Sequence, residues 1–176
     1  MRDKLMASRP APVSKSEEIA GVLFEGLVEN DQFWGEDTKA EFTASLWMQF
    51  QAKWRLYREA TILAALISRA GKDERYWDLT KAYGKLIHDD PLTPQGAAKL
   101  ARLDAAMRDI NSLIEAMDDR SEFHKKATRW NLTWFEEIGE FPRNPLTCVD
   151  FGLKYLDFWI AVEQALKKMG AEGIVP

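Results

Sequence analysis

The stretch from Thr38 to Ala70 contains neither glycine nor proline, the residues that most often end a helix. Large or apolar residues recur along it at a near-heptad spacing, at Phe42, Leu46, Phe50, Trp54, Tyr57, Thr61, Ala64 and Ser68. We therefore predict one long helix over about residues 38–70, capped by Thr38 with Glu41 and ended by Gly71. Such a helix is roughly 48 Å long at about 1.5 Å per residue, so a small domain must be built around it.

Capping and periodicity signals predict shorter helices before and after this one. Ser14 with Glu17 forms a capping box, and Thr93 followed by Pro94 is typical of a helix start. The helix after Thr93 has apolar residues alternating three and four apart, at Leu100, Leu103, Met107, Ile110, Ile114 and Met117. This spacing favours a packed seam between helices. No strand pattern is present, so we predict an all-α fold, a single bundle of five to six helices.

The remaining helix boundaries are predicted from glycine and from residues that commonly cap helix ends. We expect a helix to begin at Asp73, another to end at Gly139, and a last one to be capped by Asn144 or Thr147. The predicted organisation is a flexible N-terminal tail at 1–13, a helical bundle domain at 14–170 and a short C-terminal tail at 171–176. A chain of 176 residues with 46% apolar residues can bury one core of this kind.

The sequence favours a cytoplasmic protein without a membrane segment. Residues 1–13 are not followed by the apolar stretch of a signal peptide. The longest strongly apolar run, Ile62–Ile67, is far shorter than the ~20 residues that a membrane-spanning helix needs. Cys148 is the single cysteine, so the chain forms no internal disulfide, which suits a reducing compartment.

Catalytic and metal-binding motifs are missing from the sequence. The two histidines, His88 and His124, lack the preceding glutamate of di-iron bundles, and too few Cys and His are present for a zinc site. We therefore predict no catalytic residues, no metal and no cofactor. An enzyme remains as an alternative if carboxylates converge from several helices, namely Glu136, Glu137 and Glu140 with Asp118 and Asp119.

Nucleic-acid binding is a second alternative, although the net charge of −4 makes nucleic acid an unlikely partner. Two basic stretches, Lys53–Arg58 and His124–Arg129, lie near tryptophans that could stack on bases. Their cationic candidates are Lys53, Arg55, Arg58, Lys125, Lys126 and Arg129. This hypothesis requires the two stretches to form one face.

The last predicted helix is apolar on nearly all sides, and this feature leads to the preferred function. A bundle of five helices covers all sides of a helix only if that helix is central, so apolar surface should be left over. We expect the leftover surface to include Phe151, Tyr155, Phe158 and Trp159, aromatic residues of the kind that anchor interfaces. The sequence thus predicts a non-catalytic protein–protein interaction protein, acting as an accessory or adaptor subunit or as a homo-oligomer.

Overall fold

The computed structural model of this chain describes residues 13–29, 33–88, 93–116 and 118–173. These residues contain seven α-helices and no strand, so the all-α prediction is confirmed. The helices are α1 (Lys15–Phe24), α2 (Glu36–Ala40), α3 (Ala44–Ala70), α4 (Tyr76–Ile87), α5 (Pro94–Glu115), α6 (Arg120–Ile138) and α7 (Thr147–Ala171). A π-helical turn, Glu25–Glu29, extends α1. The predicted N-terminal tail, apart from Val13, lies outside the described residues, as do residues 174–176.

The long helix α3 is the centre of the bundle. It packs against α4, α5 and α7, while α1 covers α4, and α6 pairs with α7. From Tyr57 to Leu66 every residue of α3 is buried. A helix surrounded by partners on several sides needs apolar or small side chains around most of its circumference. The run of Ala, Ile and Leu after Tyr57 meets this need.

The start of α3 differs from the prediction. Thr38 lies inside the short helix α2, and Thr43 caps α3, with its Oγ1 accepting a hydrogen bond from the Leu46 N–H at 3.2 Å. Phe42, just before the cap, packs on Trp47 with ring centroids 5.2 Å apart. This contact is a hydrophobic staple, which fixes the angle at which the chain enters the helix. The packing of Phe42 thus selects the second threonine as the cap.

The other helix boundaries are mixed in outcome. The Ser14 capping box and the Thr93 cap are present as predicted. Gly139 ends α6 in the left-handed conformation, with φ of 78°. The helix predicted to begin at Asp73 begins instead at Tyr76, because the Asp73 carboxylate accepts the Arg75 N–H in a preceding turn. Neither Asn144 nor Thr147 caps α7, which starts after Leu146 without a side-chain cap.

The buried side of α5 is rotated from the predicted seam. Leu103, Ala106, Ile110 and Leu113 are its buried hydrophobic residues, whereas Met107 and Ile114 are only partly buried. The predicted seam contained Leu103 and Ile110 together with Met107 and Ile114, but neither Ala106 nor Leu113. The pattern therefore predicted a helix correctly but not which side of that helix is buried.

Candidate functional site

The four aromatic residues predicted to form an interface lie mostly in the core. Phe151, Tyr155 and Phe158 have no exposed surface at all, and Trp159 is partly buried against the core. These three side chains are therefore not left over after the bundle forms, and the expectation that they face a partner is wrong. The physical reason is that α7 turns them toward the aromatic side of α3 and α6.

Phe151 is the centre of this aromatic cluster. Its ring lies 5.3 Å from Trp54 of α3 and 5.2 Å from Trp134 of α6, measured between centroids, with edge-to-face geometry in both pairs. The Tyr155 hydroxyl, one turn later, is hydrogen-bonded to the Thr61 hydroxyl at 3.0 Å. Aromatic pairs of this kind stabilise beyond the area they bury. The inward face of α7 therefore forms part of the bundle core.

The opposite face of α7 carries the apolar surface that does remain exposed. Its members follow a three–four spacing and form what we call the outer stripe, which consists of Leu146, Val149, Leu153, Leu156 and Ile160. Relative exposure is 65% at Leu146, 42% at Val149, 47% at Leu153 and 44% at Ile160. Leu156 is partly buried. The sequence pattern contained this stripe, but its aromatic neighbours on the other face obscured it.

Acidic side chains border the outer stripe along one edge. Asp150 and Asp157 are both exposed and lie one heptad apart, each directly after a stripe residue. Near the end of α7 the exposed side chains become basic, at Lys167 and Lys168. Lys154 lies between Asp150 and Asp157 on the same edge, so the edge beside the apolar stripe carries two carboxylates and one ammonium.

The two basic stretches do not form one cationic face. Arg58 is 4% exposed, and its Nη1 donates to the Leu27 carbonyl at 3.4 Å, so its guanidinium is part of the core. Arg55 pairs with Glu29 at 2.6 Å and with Glu59 at 3.2 Å. Charges that are buried or paired with carboxylates contribute little to phosphate binding.

The second basic stretch, on α6, is more accessible. Lys125 and Arg129 are exposed, whereas Lys126 donates to the Ser112 carbonyl at 3.4 Å. Trp130 and Trp134 turn away from solvent, since Trp134 is 4% exposed and Trp130 packs against the core. The two indoles therefore lie on the side of α6 away from Lys125 and Arg129, so these exposed cations have no stacking surface beside them.

A groove of about 840 Å³ opens between α3, α5 and α6. Small side chains form parts of its walls, at Ala52 of α3 and at Ala105 and Ala106 of α5. Aromatic rings form another part, contributed by Tyr57, Trp130 and Trp134. The volume lies within the ~300–1,000 Å³ that is typical of small-molecule sites. The sequence did not indicate this groove, because alanines on a helix are too common to signal a cavity.

One carboxylate holds the aromatic wall of the groove in place. The Oδ2 atom of Asp109 accepts a hydrogen bond from the Tyr57 hydroxyl and another from the Trp130 indole N–H, each at 2.9 Å. Burial raises the pKa of Tyr57 well above its usual value, and the neighbouring Asp109 charge raises it further. Tyr57 therefore stays protonated as a donor, and the two rings keep a fixed orientation.

Basic and acidic side chains are present in nearly equal numbers along the rim of the groove. The Lys53 ammonium lies 4.4 Å from the centroid of the Trp134 ring and 3.6 Å from Glu137. Burial lowers the pKa of Lys53, and the carboxylates of Glu137 and Asp109 oppose that shift. Glu59, only 3% exposed, pairs with Arg55 and, at 3.9 Å, with Lys99. Every carboxylate of the groove thus already has a partner within the chain.

Two of the carboxylates named for an enzymatic alternative hold structural contacts away from the groove. Glu140 accepts a hydrogen bond from the Thr43 hydroxyl at 2.6 Å, and Asp119 caps α6 through the N–H groups of Ser121 and Glu122. Glu137 alone of that set reaches the groove. The groove instead gathers Glu59, Asp109 and Glu137, of which the sequence analysis had named one.

The remaining reactive side chains are engaged or buried. Cys148 is buried, and burial raises the pKa of its thiol, which disfavours the thiolate. The Nδ1 atom of His88 lies 2.7 Å from the Gly84 carbonyl, in the contact of a helix end. Within the described residues no cluster of three metal-ligating side chains is found.

Comparison with known proteins adds no assignment. Among the helices of the described residues, none combines the length and apolar character required to cross a bilayer. No protein-family model, no curated protein and no solved structure matches this chain.

Proposed function

We propose that this chain is a non-catalytic adaptor that docks through the outer stripe of α7 onto an amphipathic helix of a partner protein. The observation that carries the proposal is the exposure of four apolar side chains, Leu146, Val149, Leu153 and Ile160, at coiled-coil spacing on one helix face. Contiguous exposed apolar surface of this kind typically marks an interaction site. Side chains spaced three and four residues apart can insert as knobs into the holes between the side chains of a partner helix.

The charges beside the stripe indicate the chemistry of the partner. Asp150 and Asp157 occupy equivalent heptad positions along one edge of the stripe. A partner helix with Lys or Arg beside its own apolar stripe complements these carboxylates. Lys154 lies between them, so the edge keeps a small acidic excess. This excess favours a partner helix with a basic edge over a second copy of this chain.

A cytoplasmic role is consistent with the state of the single cysteine. Cys148 is a buried free thiol, which is the usual form of cysteine in a reducing compartment. Its raised pKa and burial also support an adaptor over an enzyme with a cysteine nucleophile. We propose a cytoplasmic location on these grounds.

The proposal is tested with a labelled synthetic peptide that forms an amphipathic helix, with leucine at heptad positions and lysine beside them. Fluorescence anisotropy should show saturable binding to the full chain. Leu153→Gln should weaken binding by at least about tenfold, equivalent to ~1.4 kcal/mol, because it removes the central stripe contact. The matched control is Ile67→Gln on α3, a side chain of similar exposure (44%) away from the stripe, which should leave binding unchanged.

Two results would overturn this proposal. Equal binding of a peptide with glutamate in place of lysine would remove the charge argument for the partner. Sedimentation of the wild-type chain as a dimer that dissociates in Leu153→Gln would assign the stripe to self-association instead.

A further inference from the structure

The groove between α3, α5 and α6 is a second surface, formed by none of the outer-stripe residues. We propose that it binds a small planar aromatic molecule that carries one acidic group, a carboxylate, sulfonate or phosphate. Three features of the groove support this ligand class, namely its aromatic wall, the state of its carboxylates and one cation at its rim.

The aromatic wall offers a flat ring the partly exposed Trp130 indole, and Tyr57 and Trp134, each only 4% exposed, pack against that indole. Trp130 and Tyr57 are both tied to Asp109, so their orientation is set before any ligand arrives. Trp134 packs against Tyr57 with a centroid distance of 4.6 Å and continues the wall. A ring placed against pre-oriented aromatic side chains gains contact area without the entropic cost of ordering them. The small side chain of Ala105, on the α5 side, leaves the space that such a ring requires.

The carboxylates of the groove argue against a cationic ligand. Asp109 already accepts two hydrogen bonds, Glu137 pairs with Lys53, and Glu59 pairs with Arg55. The ammonium of Lys53 also lies over the Trp134 ring, which is the position that a ligand cation would take. A second cation would therefore meet repulsion at the site it needs.

Arg102 supplies the group that selects an anion. It projects from α5 at the groove rim and is exposed. Within the described part of the chain, no carboxylate forms an ion pair with it. A guanidinium presents paired N–H donors that match the oxygens of a carboxylate, sulfonate or phosphate. With four basic and three acidic side chains along the groove, the surplus charge is positive.

The test uses 8-anilinonaphthalene-1-sulfonate, an aromatic sulfonate with a planar naphthalene ring system, whose fluorescence rises in apolar sites. Titration of the full chain should saturate at one dye molecule per chain. Arg102→Gln should weaken binding by about tenfold, because the sulfonate loses its guanidinium contact. Ala105→Leu should abolish binding by filling the groove, and circular dichroism should show that this variant retains its helical spectrum. Leu153→Gln is the matched control, since it alters the outer stripe and should leave dye binding unchanged.

The outcomes separate this inference from the adaptor proposal. Dye binding that depends on Leu153 and not on Arg102 or Ala105 would place the dye on α7 and overturn the groove site. An absence of saturable binding would overturn it as well, as would equally tight binding of the cationic planar dye thioflavin T. Since Arg102 is exposed, Arg102→Gln keeps the test decisive even if Ala105→Leu disturbs folding. Loss of peptide docking with dye binding intact would count against the adaptor role alone.

Discussion

The two faces of α7 carry similar apolar side chains in opposite surroundings. On the inner face, Phe151, Tyr155 and Phe158 have no exposed surface, whereas on the outer face Leu153 and Ile160 are more than 40% exposed. The difference shows that apolar character along a helix does not by itself separate buried positions from exposed ones. The packing of α3 and α6 against one side of α7 makes that separation.

The largest effect should come from removing the centre of the inner face. Phe151→Ala should lower the free energy of unfolding by about 3–5 kcal/mol, because it leaves a cavity among Trp54, Trp134 and neighbouring rings. The measurement is urea unfolding followed by circular dichroism, with Leu153→Ala of the outer face as the control. Similar losses of unfolding free energy in both variants would contradict the assignment of Phe151 to the core and Leu153 to the exposed face.

Alkaline pH should lower the stability of the fold through Tyr155, which lies on the inner face of α7. Burial raises the pKa of Tyr155 above its usual value of 10.0, although its hydrogen bond with Thr61 opposes the shift. The folded chain keeps this proton above about pH 10, whereas the unfolded chain loses it, so stability is fully present below pH 10 and falls as the pH rises beyond. Urea midpoints from about pH 8 to about pH 11 should decline less steeply for Tyr155→Phe. An identical decline in both proteins would mean that Tyr155 is not buried as described.

A smaller loss of stability should distinguish Thr43, which caps α3, from Thr38, which lies inside α2. Thr43→Ala should cost about 0.5–2 kcal/mol, because the Leu46 N–H loses its capping partner. Thr38→Ala should change stability by less than about 0.5 kcal/mol, because Thr38 caps no helix. Thermal melts of both variants make the comparison. A greater loss at Thr38 would restore the longer helix that the sequence predicted.

The smallest effect on stability is expected on the outer face itself. Leu153→Gln should change the free energy of unfolding by less than about 0.5 kcal/mol, because glutamine is a good helix former and the side chain is exposed. Urea unfolding of this variant checks the value and validates its use in both binding tests. A loss comparable to that of Phe151→Ala would show that Leu153 belongs to the core.

The candidate sites were only partly predictable from the sequence. Lys53 stood out in the sequence as a basic residue, and Trp130 and Trp134 as aromatic residues near basic ones; all three line the groove. Asp109, which orients the aromatic wall, gave no signal, because a single aspartate on a helix normally faces solvent. Its partner Tyr57 is fifty-two positions away in the chain, and only the packing of α3 against α5 joins them.

Local sequence signals by themselves determined the all-α class, the cap at Ser14 and the ends at Gly71 and Gly139. These features depend on backbone hydrogen bonds and conformations within a few residues, so local chemistry is sufficient. The tertiary structure decided which threonine begins α3, which edge of α5 is buried and which face of α7 remains exposed. Each of these choices depends on shape complementarity between helices that are distant in the chain, which periodicity does not encode.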